Sequence, residues 1–263
     1  MSVEIYKKFL DALENIQTKT KYVPYDWDEI PRNLHFCWAA YSQMLDEFSR
    51  EISNILNGLT RYTRQLAAWS VVAEGMDENE FVDVIVEFVE PLATLALNMP
   101  HVINSRFLFA AAHLCHQASQ AKEGEKWVDQ FPMDSEVYKG VADKYGANWH
   151  SYQRLKLAME KIANRKYRTD TQDFRNSYNH RFSVPIGIGI SLVVTRTESS
   201  TTGGVSYGFG ERDSLKLPHI VSLLEDQCQK CYSAFECFQN LVREHGLAIA
   251  PHNRVALGRL ATE

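Results

Sequence analysis

The stretch with the clearest chemical character runs from Arg175 to His180 and reads R-N-S-Y-N-H. Histidine is the side chain best suited to move a proton near neutral pH. Arginine keeps its charge and holds a phosphate group through a planar fork of donors. Together they suit cleavage of an RNA backbone. One group takes the proton from the 2′-hydroxyl, and another stabilises charge on the phosphorane or protonates the leaving oxygen. Such a site needs no metal ion.

Helical spacing decides which of these side chains can meet. Asn176 and His180 are four residues apart and share a helix face. Arg175 and His180 are five residues apart, or about 140° around an ideal helix, so they converge only where the helix frays. The dipeptide Val184-Pro185 predicts that the helix ends nearby, because the residue before a proline disfavours helical geometry.

This pattern resembles the motif of the HEPN superfamily, helical bundles marked by an arginine, usually followed by a polar residue, and then a histidine after four to six residues. Arg175-Asn176-x3-His180 fits, and the resemblance covers about residues 149–245. It implies a metal-independent endoribonuclease, often a toxin or an anti-phage effector, with two motifs facing each other across a homodimer. If the roles known for the family apply to this chain, Arg175 would bind phosphate, His180 would transfer the proton, and Asn176 would orient these two side chains.

The basic residues are concentrated around this motif. Eight Lys or Arg against three acidic residues give the segment from Arg154 to Arg181 a charge of +5, which leaves −10 for the rest of the chain. Such a stretch can steer a polyanion, although a solvated helix face is an equal alternative. We expect RNA contacts from side chains close to the motif, namely Arg165, Lys166, Arg168, Tyr178 and Arg181.

Three other interpretations stay open. The motif could be a polar helix end with ordinary caps and salt bridges. The chain could be a non-catalytic helical interaction module, such as an antitoxin-like partner or an assembly subunit. It could also bind RNA without cutting it, although a net charge of −5 is unfavourable for that. Expected partners are RNA, a second copy, and a cognate antitoxin or regulatory protein.

The cysteines and glycines suggest no metal or cofactor site. Cys228, Cys231 and Cys237 contain one C-x2-C, but a structural zinc site normally takes four ligands and a second pair is missing. Their helical spacing favours a place in the core. Gly187-Ile188-Gly189 lacks the third glycine of a dinucleotide-binding loop. We therefore expect neither a metal nor a cofactor.

A second arginine–histidine spacing occurs at Arg106 and His113, but an apolar run lies between them and favours a core helix. His113, Cys115 and His116 form a tempting cluster on the same apolar helix. No acidic partner stands nearby in the sequence, so we interpret these histidines as core or interface residues.

The remaining elements predict an all-α, multi-helix bundle of HEPN type with one β-hairpin insertion before the C-terminal helix. The hairpin is expected at about residues 186–210, because two β-branched runs flank a stretch of turn residues at 199–204. We expect a single helical domain over residues 1–263. Its N-terminal helices, 1–121, would form a semi-separate half, and 149–246 would form the HEPN-like core.

Hydrophobic periodicity, caps and prolines set the expected helix boundaries. Phe174 and Tyr178, four residues apart, are expected to anchor the motif helix to the core. The predicted helices are 3–16, 34–74 with a break near Gly58, one from an Asp77–Glu80 capping box to before Pro100, 101–121, 135–144, 149–164, a short one capped by Thr169 and Gln172, and 217–245.

Composition is that of an ordinary globular protein, with 45 % apolar and 23 % charged residues. The N-terminal residues 1–10 lack the pattern of a signal peptide, and no uncharged apolar stretch is long enough to span a membrane. Five cysteines is an odd number without the spacing of a disulfide framework. A reducing cytoplasm is the expected location.

Overall fold

The chain folds into a mostly helical protein in the computed structural model, which describes residues 3–25, 36–198 and 203–260, with the backbone alone at Thr197 and 253–260. The predicted helical class, with one hairpin before the last helix, is confirmed. The α-helices are α1 (Val3–Asn15), α2 (Ala39–Ala73), α3 (Glu78–Val84), α4 (Glu90–Ala118), α5 (Gln120–Glu123), α6 (Lys139–Gly146), α7 (His150–Met159), α8 (Arg165–Asp170), α9 (Phe174–His180) and α10 (Leu217–Leu260). The strands are β1 (Ile190–Ser191), β2 (Val194–Glu198), β3 (Val205–Phe209) and β4 (Arg212–Asp213), and single 3-10 turns lie at Phe36–Trp38, Gly124–Lys126 and Asp134–Glu136.

Helix α2 runs through Gly58 without interruption, so the predicted break there is wrong. A glycine inside a helix costs only about 1 kcal/mol relative to alanine. The neighbouring Leu56 and Leu59 are fully buried, and their packing outweighs that cost. The predicted helix start at Leu34 lies outside the described residues.

Helix α4 likewise continues through Pro100, so the predicted end before this proline is wrong. Proline has no N–H to donate to the carbonyl four residues earlier, and this weakens a helix locally. Ala96, Leu97 and Ile103 on either side are all buried, and their packing maintains the helix across the missing hydrogen bond.

A π-helical turn, Ile85–Val89, joins α3 to α4, and in it the Glu90 N–H donates to the Ile85 carbonyl. Ile85 and Val89 are both buried. At the start of α3, the predicted cap is confirmed, since the Asp77 carboxylate accepts from the backbone N–H groups of Asn79 and Glu80, each at 2.9 Å.

The predicted helix 149–164 ends early, because α7 stops at Met159 and α8 begins at Arg165. Asn164 caps α8 by accepting from the Tyr167 N–H at 3.0 Å. The prediction that Thr169 caps the motif helix is wrong. Thr169 lies inside α8, and its hydroxyl donates back to the Arg165 carbonyl at 3.1 Å.

The chain divides into two compact units, each built from three separate segments. Unit 1 contains residues 1–20, 59–99 and 164–226, and unit 2 contains residues 21–58, 100–163 and 227–263.

Unit 1 is organised around a column of aromatic rings. Phe9 stacks on Trp69 with ring centroids 4.4 Å apart, and Trp69 stacks on Phe88 at 5.3 Å. The hairpin belongs to the same unit. Its strands β2 and β3 pair antiparallel from Val194↔Phe209 to Glu198↔Val205, and β1 pairs with β4 at its base. Residues 199–202 of the predicted turn lie outside the described residues.

Unit 2 packs α7 against the later part of α10. Trp149 and Tyr152 are fully buried there. Glu244 on α10 caps the start of α7, accepting from the backbone N–H groups of His150 at 2.9 Å and Ser151 at 2.7 Å. Helix α10 extends past the predicted end at residue 245 to Leu260.

Candidate functional site

The helix that carries the motif, α9, begins from a strained turn. Gln172 and Asp173 both adopt left-handed backbone geometry, with φ values of 54° and 55°. This conformation costs a non-glycine residue roughly 1 kcal/mol or more. The Asp173 N–H donates to the Arg168 carbonyl at 2.6 Å, which closes the turn between α8 and α9. The turn therefore fixes where α9 starts relative to α8.

Two buried side chains hold α9 in place, Phe174 and Ser177. Tyr178 was expected to anchor the helix with Phe174, and this is confirmed only in part. Its ring stacks on that of Phe174 with centroids 6.0 Å apart, but half of the tyrosine remains exposed. Helix α9 is thus seated by one face, and its other faces are open to solvent.

The open faces carry the motif. Arg175 and His180 are both exposed. Among the described residues, neither side chain makes a hydrogen bond or an ion pair. Asn176 is half-buried, and its Nδ2 donates to the Asp173 carboxylate at 3.0 Å. Salt bridges of the ordinary kind therefore do not account for the arginine and the histidine.

The direction of the two side chains follows from the helix geometry. His180 is the last helical residue, and the next N–H, of Arg181, still donates to the Ser177 carbonyl at 2.9 Å. The helix is therefore regular as far as His180. Arg175 and His180 leave it about 140° apart, while His180 shares a face with Asn176. One copy of the chain does not bring the guanidinium to the imidazole.

The predicted RNA-binding residues are exposed and belong to the same unit. Tyr167 anchors α8, since its hydroxyl donates to the Leu97 carbonyl at 2.9 Å. The ammonium of Lys166 forms an ion pair with Asp170, and this hydrogen bond raises the lysine pKa. The other three cations make no ion pair with described residues. The exposed set is Arg165, Lys166, Arg168, Tyr178 and Arg181.

No family model matches the chain, and it matches neither a curated protein nor a solved structure. A function has therefore to be inferred from the side chains themselves. The described residues contain no group of three or more His, Cys, Asp or Glu side chains placed to hold a metal ion. In the same part of the chain, no helix is both long and apolar enough to cross a membrane.

A second cluster of polar side chains lies in unit 2 and could not be recognised in the sequence. His245 is completely buried, with its Nδ1 3.2 Å from the Tyr41 hydroxyl and its Nε2 3.6 Å from the Cys115 sulfur. The Trp149 ring meets it edge-on at 4.3 Å. Burial, and to a lesser degree Lys122, lowers the pKa of His245 to about 3.

The thiol in this cluster is not a nucleophile. Burial raises the pKa of Cys115 well above its usual value, so the sulfur stays protonated. Cys115 is also inaccessible to solvent. The contacts of His245 with Tyr41 and Cys115 are best understood as polar pairing inside the core, which spares buried groups the cost of lacking a partner.

The two histidines of the cluster predicted on α4, His113 and His116, are buried as expected. Each also lies close to a carboxylate, which the sequence did not indicate. His116 Nε2 lies 3.0 Å from Asp129, and His113 Nε2 lies 3.3 Å from Asp134. Both carboxylates come from the segment after α5. Burial lowers the pKa of each imidazole, and the carboxylates oppose that effect. These residues attach a surface segment to α4.

As predicted, the second arginine–histidine spacing lies on a core helix, α4, in which Phe107 and His113 are buried. Arg106 is ion-paired with Glu51 at 2.5 Å. His113 is buried behind Phe109, with ring centroids 4.4 Å apart. Arg106 and Phe109 line a cleft of about 620 Å³. Since this arginine already has a carboxylate partner, it is a poorer phosphate ligand than Arg175.

Proposed function

We propose that this protein is a metal-independent endoribonuclease of HEPN type that works as a toxin or an anti-phage effector. The observation that carries the proposal is the state of Arg175 and His180. Both are exposed, and neither has a partner among the described side chains, on a helix that Phe174 and Ser177 anchor firmly. Unused charged and titratable groups on a fixed support are what a catalytic surface requires.

The chemistry follows from the two side chains. The imidazole of His180 takes the proton from a ribose 2′-hydroxyl, and the 2′-oxygen attacks the adjacent phosphorus. The guanidinium of Arg175 stabilises the charge that develops on the phosphorane. The bond to the 5′-oxygen breaks, and that oxygen takes a proton from water as it leaves. The products are a 2′,3′-cyclic phosphate and a 5′-hydroxyl.

We infer that the working site combines two copies of the chain. Within one copy, Arg175 and His180 point about 140° apart on a regular helix. A second copy related by two-fold symmetry can supply the missing arginine to each histidine. Asn176 lies on the face of His180, where its bond to Asp173 keeps that face in a fixed geometry.

The basic side chains near the motif support RNA as the substrate. Arg165, Arg168 and Arg181 are exposed and make no ion pair with described residues. They lie in a segment of charge +5 in a chain of net charge −5. A local excess of cations on an otherwise acidic protein directs a polyanion to one place.

The test is cleavage of a mixed-sequence single-stranded RNA by purified protein in EDTA. Wild type should give 2′,3′-cyclic phosphate ends, identified by mass spectrometry, and Arg175→Ala and His180→Ala should each lose the activity. Arg50→Ala and His150→Ala are matched controls, because both side chains are exposed in unit 2. Full activity in both motif variants would defeat the proposal.

Mixing the two inactive variants tests the shared site. If Arg175 of one copy serves His180 of the other, mixed dimers hold one complete pair. Activity should then return to about a quarter of the wild-type rate, since half of the dimers are mixed and each has one intact site. A mixture that stays inactive after subunit exchange would mean that each site is built within a single copy.

A second candidate is a non-catalytic helical interaction module. The observation that favours it is exposed apolar surface on the hairpin, where Tyr207 is largely exposed and Phe209 almost fully so. Such a surface commonly marks a protein interface. This candidate predicts no RNA cleavage and a stable complex with another protein purified from the native host.

A further inference from the structure

The β2–β3 hairpin has two faces of opposite character. Its register places Val194 opposite Phe209, Arg196 opposite Tyr207 and Glu198 opposite Val205. Directly paired residues lie on the same face of a sheet. These six side chains therefore form one surface, which we call the aromatic face. The other face carries small or polar residues, among them Thr195, Ser206 and Gly208.

The exposure of the two faces is the reverse of the usual arrangement. A two-sided sheet normally buries its apolar face and leaves its polar face in water. Here Thr195 and Gly208, on the polar face, are half-buried. On the aromatic face Tyr207 is 74 % exposed and Phe209 is 92 % exposed. The hairpin thus leaves its apolar face open to solvent.

The base of the hairpin is held rigidly. Ile186 and Leu215 are buried, and the Gly187 N–H donates to the Leu215 carbonyl at 2.9 Å. A side chain at Gly187 would stand 2.6 Å from Ile85 Cδ1, so the backbone packs directly against buried Ile85 of the π-helical turn. An anchored hairpin that exposes its apolar face is a preformed interaction surface rather than a loosely packed loop.

We propose that the aromatic face docks on the same face of a second copy of this chain. The face is complementary to itself. It carries one cation, Arg196, and one anion, Glu198, and neither makes an ion pair with described residues. In a two-fold arrangement, each Arg196 meets a Glu198 of the other copy, while the valines, Tyr207 and Phe209 exclude water around them.

This surface is also placed next to the proposed active site. The Gln172 side chain, in the turn before α9, donates to the carbonyl of Asp213 in β4, at 3.1 Å. If the two α9 helices also meet across this interface, the hairpin dimer is the dimer that completes the proposed active site. That consequence rests on the proposed function, but the association itself does not.

The interface is small. Two five-residue strands are roughly 17 Å long, so the aromatic face covers less than the ~800 Å² per partner of a standard stable interface. We expect a dimer with a dissociation constant in roughly the micromolar range.

Sedimentation velocity of the full chain without RNA, over a dilution series through the micromolar range, tests the association. Phe209→Ser should weaken the dimer by about tenfold or more, because it removes the most exposed aromatic ring of the face. Phe36→Ser is the matched control, since Phe36 is a comparably exposed phenylalanine in unit 2. It should leave the dissociation constant unchanged. Far-UV circular dichroism confirms that each variant is folded.

A charge swap tests the geometry of the pairing. Arg196→Glu or Glu198→Arg alone puts like charges across the interface and should weaken the dimer several-fold. The double variant R196E/E198R restores opposite charges and should return to within about twofold of wild type. A simple apolar aggregate would show no such rescue.

The outcomes separate this inference from the proposed function. A chain that stays monomeric throughout the series, a dimer unaffected by Phe209→Ser, or a charge swap without rescue each overturns the hairpin interface. A hairpin-dependent dimer that leaves RNA intact would support the interface and defeat the nuclease. A monomer that cleaves RNA would overturn the hairpin interface and support the nuclease.

Discussion

Two histidines of this chain lie at opposite extremes of solvent exposure. His180 is exposed at the end of α9 and pairs with no described side chain. His245 is fully buried between Tyr41, Cys115 and Trp149. The buried imidazole has the strongly lowered pKa that is often taken to mark an active site. Yet a substrate can reach only the exposed one, so a shifted pKa without access indicates a structural role.

The largest expected effect comes from removing the exposed imidazole. His180→Ala should lower the rate of RNA cleavage by about 10²- to 10⁴-fold, which is the usual contribution of a positioned general base. The melting temperature should hardly change, because the side chain is exposed and makes no hydrogen bond or ion pair with described residues. Single-turnover cleavage and calorimetry on the same preparation measure the two quantities. If His180→Ala kept its activity, His180 would have no catalytic role.

Removing the buried imidazole should have the reverse effect. His245→Ala leaves a cavity in unit 2 and deprives the Tyr41 hydroxyl of its neighbour. We expect the free energy of unfolding to fall by about 2–4 kcal/mol. Urea denaturation followed by circular dichroism measures it. At temperatures where the variant is still folded, the cleavage rate per folded molecule should stay close to wild type, and a loss resembling that of His180→Ala would contradict the structural role.

The buried histidines should also make the protein sensitive to acid. The pKa values of His113, His116 and His245 are lowered in the folded state, so the unfolded chain binds protons first as the pH falls below about 6.5. Stability is then lost on acidification, for His245 over the range from about 6.5 down to about 3. Each such histidine contributes a slope of up to about 1.4 kcal/mol per pH unit.

Urea midpoints between pH 7 and pH 5 measure this slope. His245→Phe, which keeps a ring in the cavity but cannot be protonated, should flatten it. His150→Phe serves as the control because His150 is exposed. Equal slopes in wild type and His245→Phe would show that this imidazole does not drive the acid sensitivity.

The smallest expected effects come from removing a single hydrogen bond, either the one at buried His245 or the one next to the motif at Asn176. Tyr41→Phe removes the buried contact with His245 and should cost about 1 kcal/mol of stability. Asn176→Ala removes the more accessible contact with Asp173 and should cost about 0.5 kcal/mol or less. In the cleavage assay the order should be reversed, with Asn176→Ala the slower enzyme. The same order in both assays would argue that Asn176 has no special role at the site.

The helical class and the hairpin could be predicted from the sequence because both depend on local periodicity. The Asp77 cap was predictable for the same reason, since donor and acceptor lie within three residues. Gly58 and Pro100 misled the prediction because their local tendency to break a helix is overridden by packing. A buried neighbour contributes more than a single missing hydrogen bond removes, and the sequence alone does not say which neighbours are buried.

The candidate site, like the fold, could be predicted from the sequence only in part. The identities and spacing of Arg175 and His180 are visible in the sequence, but their exposure is not. The His245 cluster was unpredictable, because Cys115 and His245 are separated by 130 positions. The carboxylate partner of His116 comes from a loop without regular periodicity. Only the folded chain shows which polar residues have partners and which are left free to react.

The π-helical turn at Ile85–Val89 gives the helix one extra residue within that turn. Because the π-helical turn accommodates this extra residue without rotating α3 relative to α4, deleting the exposed Val86 or Glu87 would leave an ordinary α-helical turn with both flanking helices in place. Ile85 would still lie against Gly187, and the support beneath the hairpin would be kept. The same deletion in the regular part of α4 would instead rotate the residues on its two sides by about 100° relative to each other, so the chain should tolerate a one-residue deletion better at this turn than in the helix that follows it.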